Sequence, residues 1–334
     1  MGHKLARGRC KPQAGQRFTV RGKVFELRGK IGDGAVGIVR KANPLNEKTL
    51  MAVKFLAPDP KYIELAAFDD VAARFKREGE RGAFLDHDHL INIFAYCDNT
   101  DGSCFRTGYP CNPFLLMEYI DGRTLESFIR RTPEEERGIF LLDQSRLNIA
   151  IQICHALEYL KDLRLIHRDV KPANVFLKSI NRPARWHAKL GDFGVVKWGD
   201  FHAAVTTGTL TVTSQKGLGT LKYMSPEQAV RPKSVSVKSD IWSLGITLFE
   251  LFTGQVLASA HHVYELQNAR HSRGTTMSRF LNIGYKLDFG NLDLADLVLD
   301  MFLAPDGRPP IDKIRGRLET AYERRFNREW RADF

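Results

Sequence analysis

Polar and apolar residues change their period along this chain near Thr124, dividing it into a strand-rich part and a helix-rich part. The early stretch FTVRGKVFELRGKIGDGAVGIVRKAN alternates β-formers with polar residues, breaks at a glycine cluster and alternates again before LMAVKFL. That period of two predicts strand, turn, strand, strand. The run VAARFKREGERGAFLDHDHL takes on helical character, with Gly79 and Gly82 weakening the helix locally and making its position adjustable. INIFAYC and FLLMEYI return to strands, joined by DNTDGSCFRTGYPCNP, which exceeds an ordinary hairpin connection.

TLESFIRR opens the helical part, and SRLNIAIQICHALEYLKDLRL places apolar residues at i, i+3, i+4 and i+7, the spacing of a long helix. KSDIWSLGITLFELFTG is apolar around most of its circumference, as a buried helix must be. LADLVLDMFL and IDKIRGRLETAYERRFNREW are amphipathic, whereas ASAHHVYELQNARHSRGTTMSRFLNIGYKLDFG follows neither period. VKWGDFHAAVTTGTLTVTSQKGLGTLKYMSPEQ, rich in Thr, Ser and Gly, reads as a long functional loop.

With 334 residues, 43% of them hydrophobic, the chain has the apolar side chain for a real core and is expected to fold alone. No stretch approaches the ~18 to 20 uninterrupted apolar residues of a membrane span. The longest candidate, IWSLGITLFELF, is short and carries Glu250. The basic N-terminal residues lead into no apolar core, so no secretory signal is read, and a soluble, cytoplasmic protein is expected. Five cysteines is an odd number, and intracellular thiols are kept reduced, so no disulfide framework is expected. Cys97, Cys104 and Cys111 lack the close pairing of zinc ligands and are read as surface-loop residues. The net charge of +11 gathers at the ends, where Arg and Lys interleave with Glu319, Glu323 and Glu329. That is a solvated helical face rather than a dedicated nucleic-acid site, and an acidic protein or anionic surface suits the charge equally.

The densest chemistry lies in HRDVKPANVFL, His167 to Leu177. Asp169 can accept a proton from a hydroxyl, Lys171 can neutralise a phosphate in flight, and Asn174 can offer a carbonyl oxygen to Mg²⁺. Apolar runs on both sides argue against a merely solvated turn. In AKLGDFGVV, Asp192 follows a strand and precedes Gly194, so its carboxylate can swing onto a metal that bridges phosphates. Gly32, Gly34 and Gly37 form G-x-G-x-x-G, whose missing Cβ atoms let backbone close over a polyphosphate. A dinucleotide fold would continue as a helix, but IVRKA continues as a strand. Lys54, central in an apolar strand, requires an acidic partner, for which Glu78 and Glu80 are the candidates.

Taken in order, the glycine loop, MAVK, FKRE, HRDVKPAN, DFG and SPE resemble the eukaryotic-type (Hanks-type) serine/threonine protein kinases, with HRDVKPANV and YMSPEQ most similar to bacterial members. The resemblance implies an α+β, bilobal protein-kinase-like fold. A basic tail at 1–17 would precede a kinase domain at 18–334. Its small antiparallel N-lobe with one helix would cover about 18–117, the hinge 118–122, and the larger, mainly helical C-lobe about 123–334. ATP with Mg²⁺, or Mn²⁺ in its place, is the implied cofactor pair, and a protein with Ser/Thr acceptors the implied partner.

By the same resemblance Ile31, Gly32, Gly34, Gly37 and Lys54 would hold the nucleotide phosphates, and Glu78 rather than Glu80 would orient Lys54. Val39 and Ala52 would roof the base, Phe176 would floor it, Met117 would be the gatekeeper, and the Glu118 to Ile120 backbone would bind its edge. Asp169 and Lys171 would act on the acceptor and the γ-phosphoryl group, with Asn174 and Asp192 on the metal. Lys171 and Thr220 point to Ser or Thr substrates. Glu227 would pair with Arg308, and Asp240 would tie its helix to the HRD backbone. Arg168 and Lys197 would receive a phosphate autocatalytically placed on Thr211, Thr213 or Ser214. A nucleotide-binding pseudokinase scaffold is the alternative, but such chains commonly lose one of the charged residues that are all present here. A small-molecule phosphotransferase would lack SPE and Lys171. The region after Gln255 departs from the family in lacking its usual Pro-Phe start.

Overall fold

The structure, a computed structural model, describes residues 12–33, 37–57, 68–98, 112–133, 143–180, 185–192, 222–230, 235–254 and 292–331. The chain divides into two compact units. The described residues of the first come from Met1–His87 and Ile91–Tyr119, and those of the second from Asp88–Leu90, Ile120–Asp192 and Val212–Phe334.

The first unit is an antiparallel sheet of β1 (Arg17–Val20), β2 (Lys23–Asp33), β3 (Gly37–Pro44), β4 (Met51–Leu56), β5 (Ile93–Cys97) and β6 (Phe114–Glu118), with α1 (Phe68–Gly82) against it. Its order is β1-β2-β3-β4-β6-β5. Successive side chains of a strand point to opposite faces, so each strand feeds two cores. Phe18, Phe25, Leu27, Val53, Phe55, Phe114 and Leu116 fill one. Leu56, Ile93 and Leu115 meet Val71 and Phe75 of α1 in the other. The inward face of α1 is Val71, Phe75, Glu78, Gly79 and Gly82, all buried, while Glu80 is exposed. That helical spacing turns one of the two candidate glutamates toward the sheet and the other toward water.

Cys97, at the end of β5, is disulfide-bonded, which corrects the expectation of reduced surface thiols. Its partner lies outside the described residues, as do Cys104 and Cys111. The oxidised sulfur is no thiolate, so Cys97 is not a zinc ligand in this state.

In the second unit, α2 (Leu125–Ile129), α3 (Gln144–Asp162), α4 (Pro226–Val230), α5 (Val237–Thr253), α6 (Leu292–Asp300) and α7 (Ile311–Phe326) accompany a small sheet of β7 (Arg123–Thr124), β8 (Val175–Ser179) and β9 (Trp186–Leu190). Thr124, Asp143 and Ser236 cap α2, α3 and α5 with side-chain oxygens that accept backbone N–H bonds. Every residue of α5 from Ser239 to Thr253 is buried, as its continuous hydrophobicity predicts. Arg146 of α3 donates to the Leu251 carbonyl near the end of α5, and Arg315 of α7 donates to Glu158 of α3. Residues 255–291, the stretch with no readable period, lie outside the described residues.

Candidate active site

Strand register places the residues expected to face nucleotide on one sheet face. Gly32 pairs with Val39, Val39 with Lys54, and Lys54 with Leu115, forming a row across β2, β3, β4 and β6. In the neighbouring row Ala52 pairs with Met117. Gly37 lies where any Cβ would sit 2.0 Å from the Phe55 carbonyl oxygen, so only glycine lets β3 start there. Ile31 is exposed, and the Glu118 N–H donates to the Asn92 carbonyl.

Lys54 meets Glu78 and not Glu80. Its Nζ donates to Glu78 Oε1 at 3.1 Å and to Oε2 at 3.4 Å. With Lys54 8% and Glu78 6% exposed, the pair is nearly dry. Each charge is therefore made tolerable in good part by the other.

In the second unit the HRD loop is held by its backbone. Asp240 Oδ2 accepts the His167 N–H and Oδ1 the Arg168 N–H, both at 2.8 Å. Burial pushes the Asp240 carboxyl up to about 6 against the pull of those two donors. His167 is fully buried, and burial drives its imidazole down to about 4, so it is neutral at neutral pH. Its Nε2 lies 3.1 Å from the Gly191 carbonyl and its Nδ1 accepts the Asp169 N–H at 3.3 Å, which suits the tautomer with the proton on Nε2. Arg168 takes φ of 69°, a left-handed conformation unusual for a non-glycine residue, and its side chain is exposed.

One carboxylate gathers the loop's polar ends. Asp169 Oδ2 accepts from Lys171 Nζ at 2.8 Å and from Asn174 Nδ2 at 2.9 Å, and Asn174 Nδ2 also donates to the Asp169 carbonyl. With its nitrogen so engaged, Asn174 has Oδ1 to offer a cation. The β8–β9 hairpin pairs Val175 with Leu190, and the Gly191 N–H donates to the Asn174 carbonyl at 2.9 Å. Residues on either side of the hairpin, Asn174 and Asp192, are thereby brought to the same end of it. Asp192 has φ of 59°, again left-handed. An amide oxygen and a carboxylate are hard donors of the kind Mg²⁺ takes, so these residues fit that ion. Phe176, in β8, pairs with Thr124 and Lys189 and is half-buried, as is Ile120.

Farther along, Arg308 Nη1 and Nη2 donate to Glu227 Oε1 and Oε2 at 2.6 and 2.9 Å, while its Nε donates to the Leu303 carbonyl. The guanidinium also lies 5.1 Å from the Trp242 ring centroid. Burial alone would raise the Glu227 pKa, but Arg308 overrides it and holds the carboxyl below its ordinary value.

Sequence reasoning missed a second buried ion pair nearby. Glu250 Oε1 accepts from Lys222 Nζ and Oε2 from Tyr223 OH, both at 2.7 Å, and burial followed by the Glu250 charge pushes the phenol pKa well up. The signal was present: a glutamate in an otherwise apolar helix demands a partner. Gly34, Lys197, Thr211, Thr213, Ser214 and Thr220 lie outside the described residues.

The chain matches the protein kinase domain family over residues 25–296. It is 31% identical over 231 residues to the serine/threonine-protein kinase PknB of Mycobacterium leprae, covering 69% of this chain and 32% of that protein. A probable serine/threonine-protein kinase of Corynebacterium efficiens is 33% identical over 231 residues, with 69% of this chain and 31% of the relative covered. The chain thus spans about a third of the length of these curated relatives. Among solved structures, a double mutant of the Mycobacterium tuberculosis PknI kinase domain superposes with TM-score 0.60 at 22% identity, covering 92% of this chain and 99% of that one, a likeness of fold. Among the described residues no helix is long and apolar enough to cross a membrane.

Proposed function

We propose that this chain, which belongs to the protein kinase family, transfers the γ-phosphoryl group of ATP to serine or threonine hydroxyls of protein substrates. The observation that carries the reading is the Asp169 carboxylate, gripped by Lys171 and Asn174 on a loop whose backbone Asp240 fixes. Such an arrangement orients a general base without removing its charge. Asp169 would align the acceptor hydroxyl and take its proton, and Lys171 would offset charge on the moving phosphoryl group. Lys54, held by Glu78, would fix the phosphates beneath the loop of Gly32, Gly34 and Gly37. Asn174 and Asp192 would hold Mg²⁺, or Mn²⁺ in its place, which supplies charge neutralisation between the phosphates. Ile31, Val39, Ala52, Met117, Glu118, Ile120 and Phe176 would form the nucleotide's surroundings. Positioning and fixed charge would supply nearly all the catalysis.

Lobes at about 18–117 and 123–334, joined through 118–122, are proposed after a tail at 1–17. The bonds at Asp240, Glu227 and Arg308 suit structural roles, and Lys171 with Thr220 favours Ser/Thr over Tyr. A cytoplasmic location would supply the ATP, and there the Cys97 disulfide would be reducible. Autophosphorylation at Thr211, Thr213 or Ser214 would add about −1.5 to −2 charges for Arg168 and Lys197 to receive. Phosphatase treatment with mass spectrometry before and after tests that switch. Activity unchanged by complete dephosphorylation would refute it. The transfer itself is tested by incubating the protein with labelled ATP, Mg²⁺ and a generic protein substrate, then hydrolysing to phosphoamino acids. Label on serine or threonine is expected, and label confined to tyrosine or to a small molecule would overturn the reading.

A further inference from the structure

Helix α1 carries Glu78 to Lys54, so what sets its distance from the sheet also sets the pair. Large residues occupy its inward face at Val71 and Phe75, but beyond Glu78 that face holds only Gly79 and Gly82. A Cβ on Gly79 would lie 2.4 Å from Leu115 Cδ2 and 2.8 Å from Tyr96 Cβ. One on Gly82 would lie 2.4 Å from Ile93 Cδ1 and 3.2 Å from its Cγ1. Both neighbours are packed in the core, Leu115 fully buried and Ile93, on the edge strand β5, 6% exposed. Their places in the sheet also matter. Leu115 is the cross-strand partner of Lys54, and Ile93 that of Met117.

We propose that Gly79 and Gly82 are positioning residues for phosphotransfer. They let α1 lie close enough to β5 and β6 for Glu78 to reach Lys54, and a side chain at either site lifts the helix and opens the pair. This rests on the kinase reading for its catalytic consequence and on geometry alone for its structural one. Carbon atoms in contact need about 3.5 to 4.0 Å. Leu115 Cδ2 and Ile93 Cδ1 are side-chain ends held in a packed core, but Tyr96 Cβ moves only with its strand, so at Gly79 the helix would have to retreat by roughly 0.7 Å or more. The Lys54 Nζ–Glu78 Oε1 distance, 3.1 Å, has no room for that within hydrogen-bond range. Helix propensity acts in the opposite direction, since alanine favours a helix more than glycine does. A loss on Gly→Ala therefore cannot come from a weaker helix.

The decisive experiment sets Gly79→Ala, Gly82→Ala and Gly82→Ala/Ile93→Val against wild type in the full chain, with and without Glu78→Gln. Phosphotransfer rates and crystal structures are both measured. Gly316→Ala serves as control, because α7 leaves nothing within 4 Å of that site, and it should leave activity unchanged. Gly79→Ala should lower kcat/KM by at least about tenfold. Ile93→Val removes the Cδ1 that crowds Gly82→Ala and should restore most of what that substitution loses. In the Glu78→Gln background neither alanine should cost anything more, because the pair through which they act is gone. Equal fold-losses in both backgrounds, or full activity in Gly79→Ala with the pair still at hydrogen-bond distance, would overturn the proposal. Should Gly79→Ala fail to fold, the Gly82 and Ile93 variants decide. If wild type transfers no phosphate, the kinase reading fails and the crystal structures still judge the inference: a pair beyond 4 Å supports it, and an unmoved pair overturns it.

Discussion

Lys54 and Glu78 show how a buried charge is made tolerable, and how costly it becomes alone. Removing one partner of such a pair typically costs about 3 to 5 kcal/mol because the other is left desolvated and unpaired. Lys54→Met should therefore lose both phosphotransfer and stability, while Lys54→Met with Glu78→Gln recovers stability without activity. Urea unfolding of the single and double variants checks this. His167 offers a second prediction at the same scale. Its folded pKa lies below its unfolded one, so its contribution is full above about pH 6.5 and is lost as pH falls toward about 4. Asp240, raised to about 6, works in the opposite sense: the folded state holds its proton more tightly, so its penalty fades as pH falls through the same range. The cost of replacing His167 with Gln should be smaller at pH 5 than at pH 7 by roughly 2 kcal/mol, and an unchanged difference would contradict the buried neutral imidazole. Legibility at this scale followed charge and spacing. Lys54 announced its need for a carboxylate, but its strand left Glu78 and Glu80 both open, and only the family resemblance of FKRE favoured Glu78. Lys222 and Tyr223 could not be read as partners of Glu250, because their meeting depends on how α5 packs. The Cys97 disulfide was missed because compartment statistics were applied to the thiols as a group.

At the scale of elements, period was the reliable guide and connection the unreliable one. Alternation gave β2, β3, β4, β5 and β6, and continuous hydrophobicity gave α5, because each reports which faces of one element are buried. The sheet order β1-β2-β3-β4-β6-β5 and the pairing of the short β7 with β8 depend on long-range contacts that no single stretch records. The β8–β9 hairpin was foreseen, and its register explains how Asn174 and Gly191 become neighbours across a gap in sequence. Arg308 links Glu227 at the start of α4 to the Lys238 and Leu303 carbonyls. Arg308→Met should accordingly destabilise the second unit by about 3 to 5 kcal/mol. Glu227 has a lowered folded pKa, so its share is present above its unfolded value near pH 4.5 and is lost as pH falls through the depressed one. The deficit of Arg308→Met should therefore shrink in acid. A deficit independent of pH, measured by denaturant titration, would mean that the ion pair contributes no net stability.

Across the whole molecule the groups with proposed chemistry belong to different compact units: Lys54 and Glu78 to one, Asp169, Lys171, Asn174 and Asp192 to the other. That division gives the account its sharpest test, because substrate handling and proton acceptance should separate. Asp169→Asn keeps the side chain's shape and removes the charge proposed to accept the hydroxyl proton, while leaving Lys54 and Glu78 untouched. The deciding measurement is phosphate transfer from labelled ATP to a protein substrate by wild type and Asp169→Asn, with nucleotide affinity determined on the same samples. The account predicts label on serine or threonine from wild type, loss of that label in Asp169→Asn, and nearly equal ATP affinity in the two. Transfer at the wild-type rate by Asp169→Asn, with contaminating kinase excluded, would contradict it.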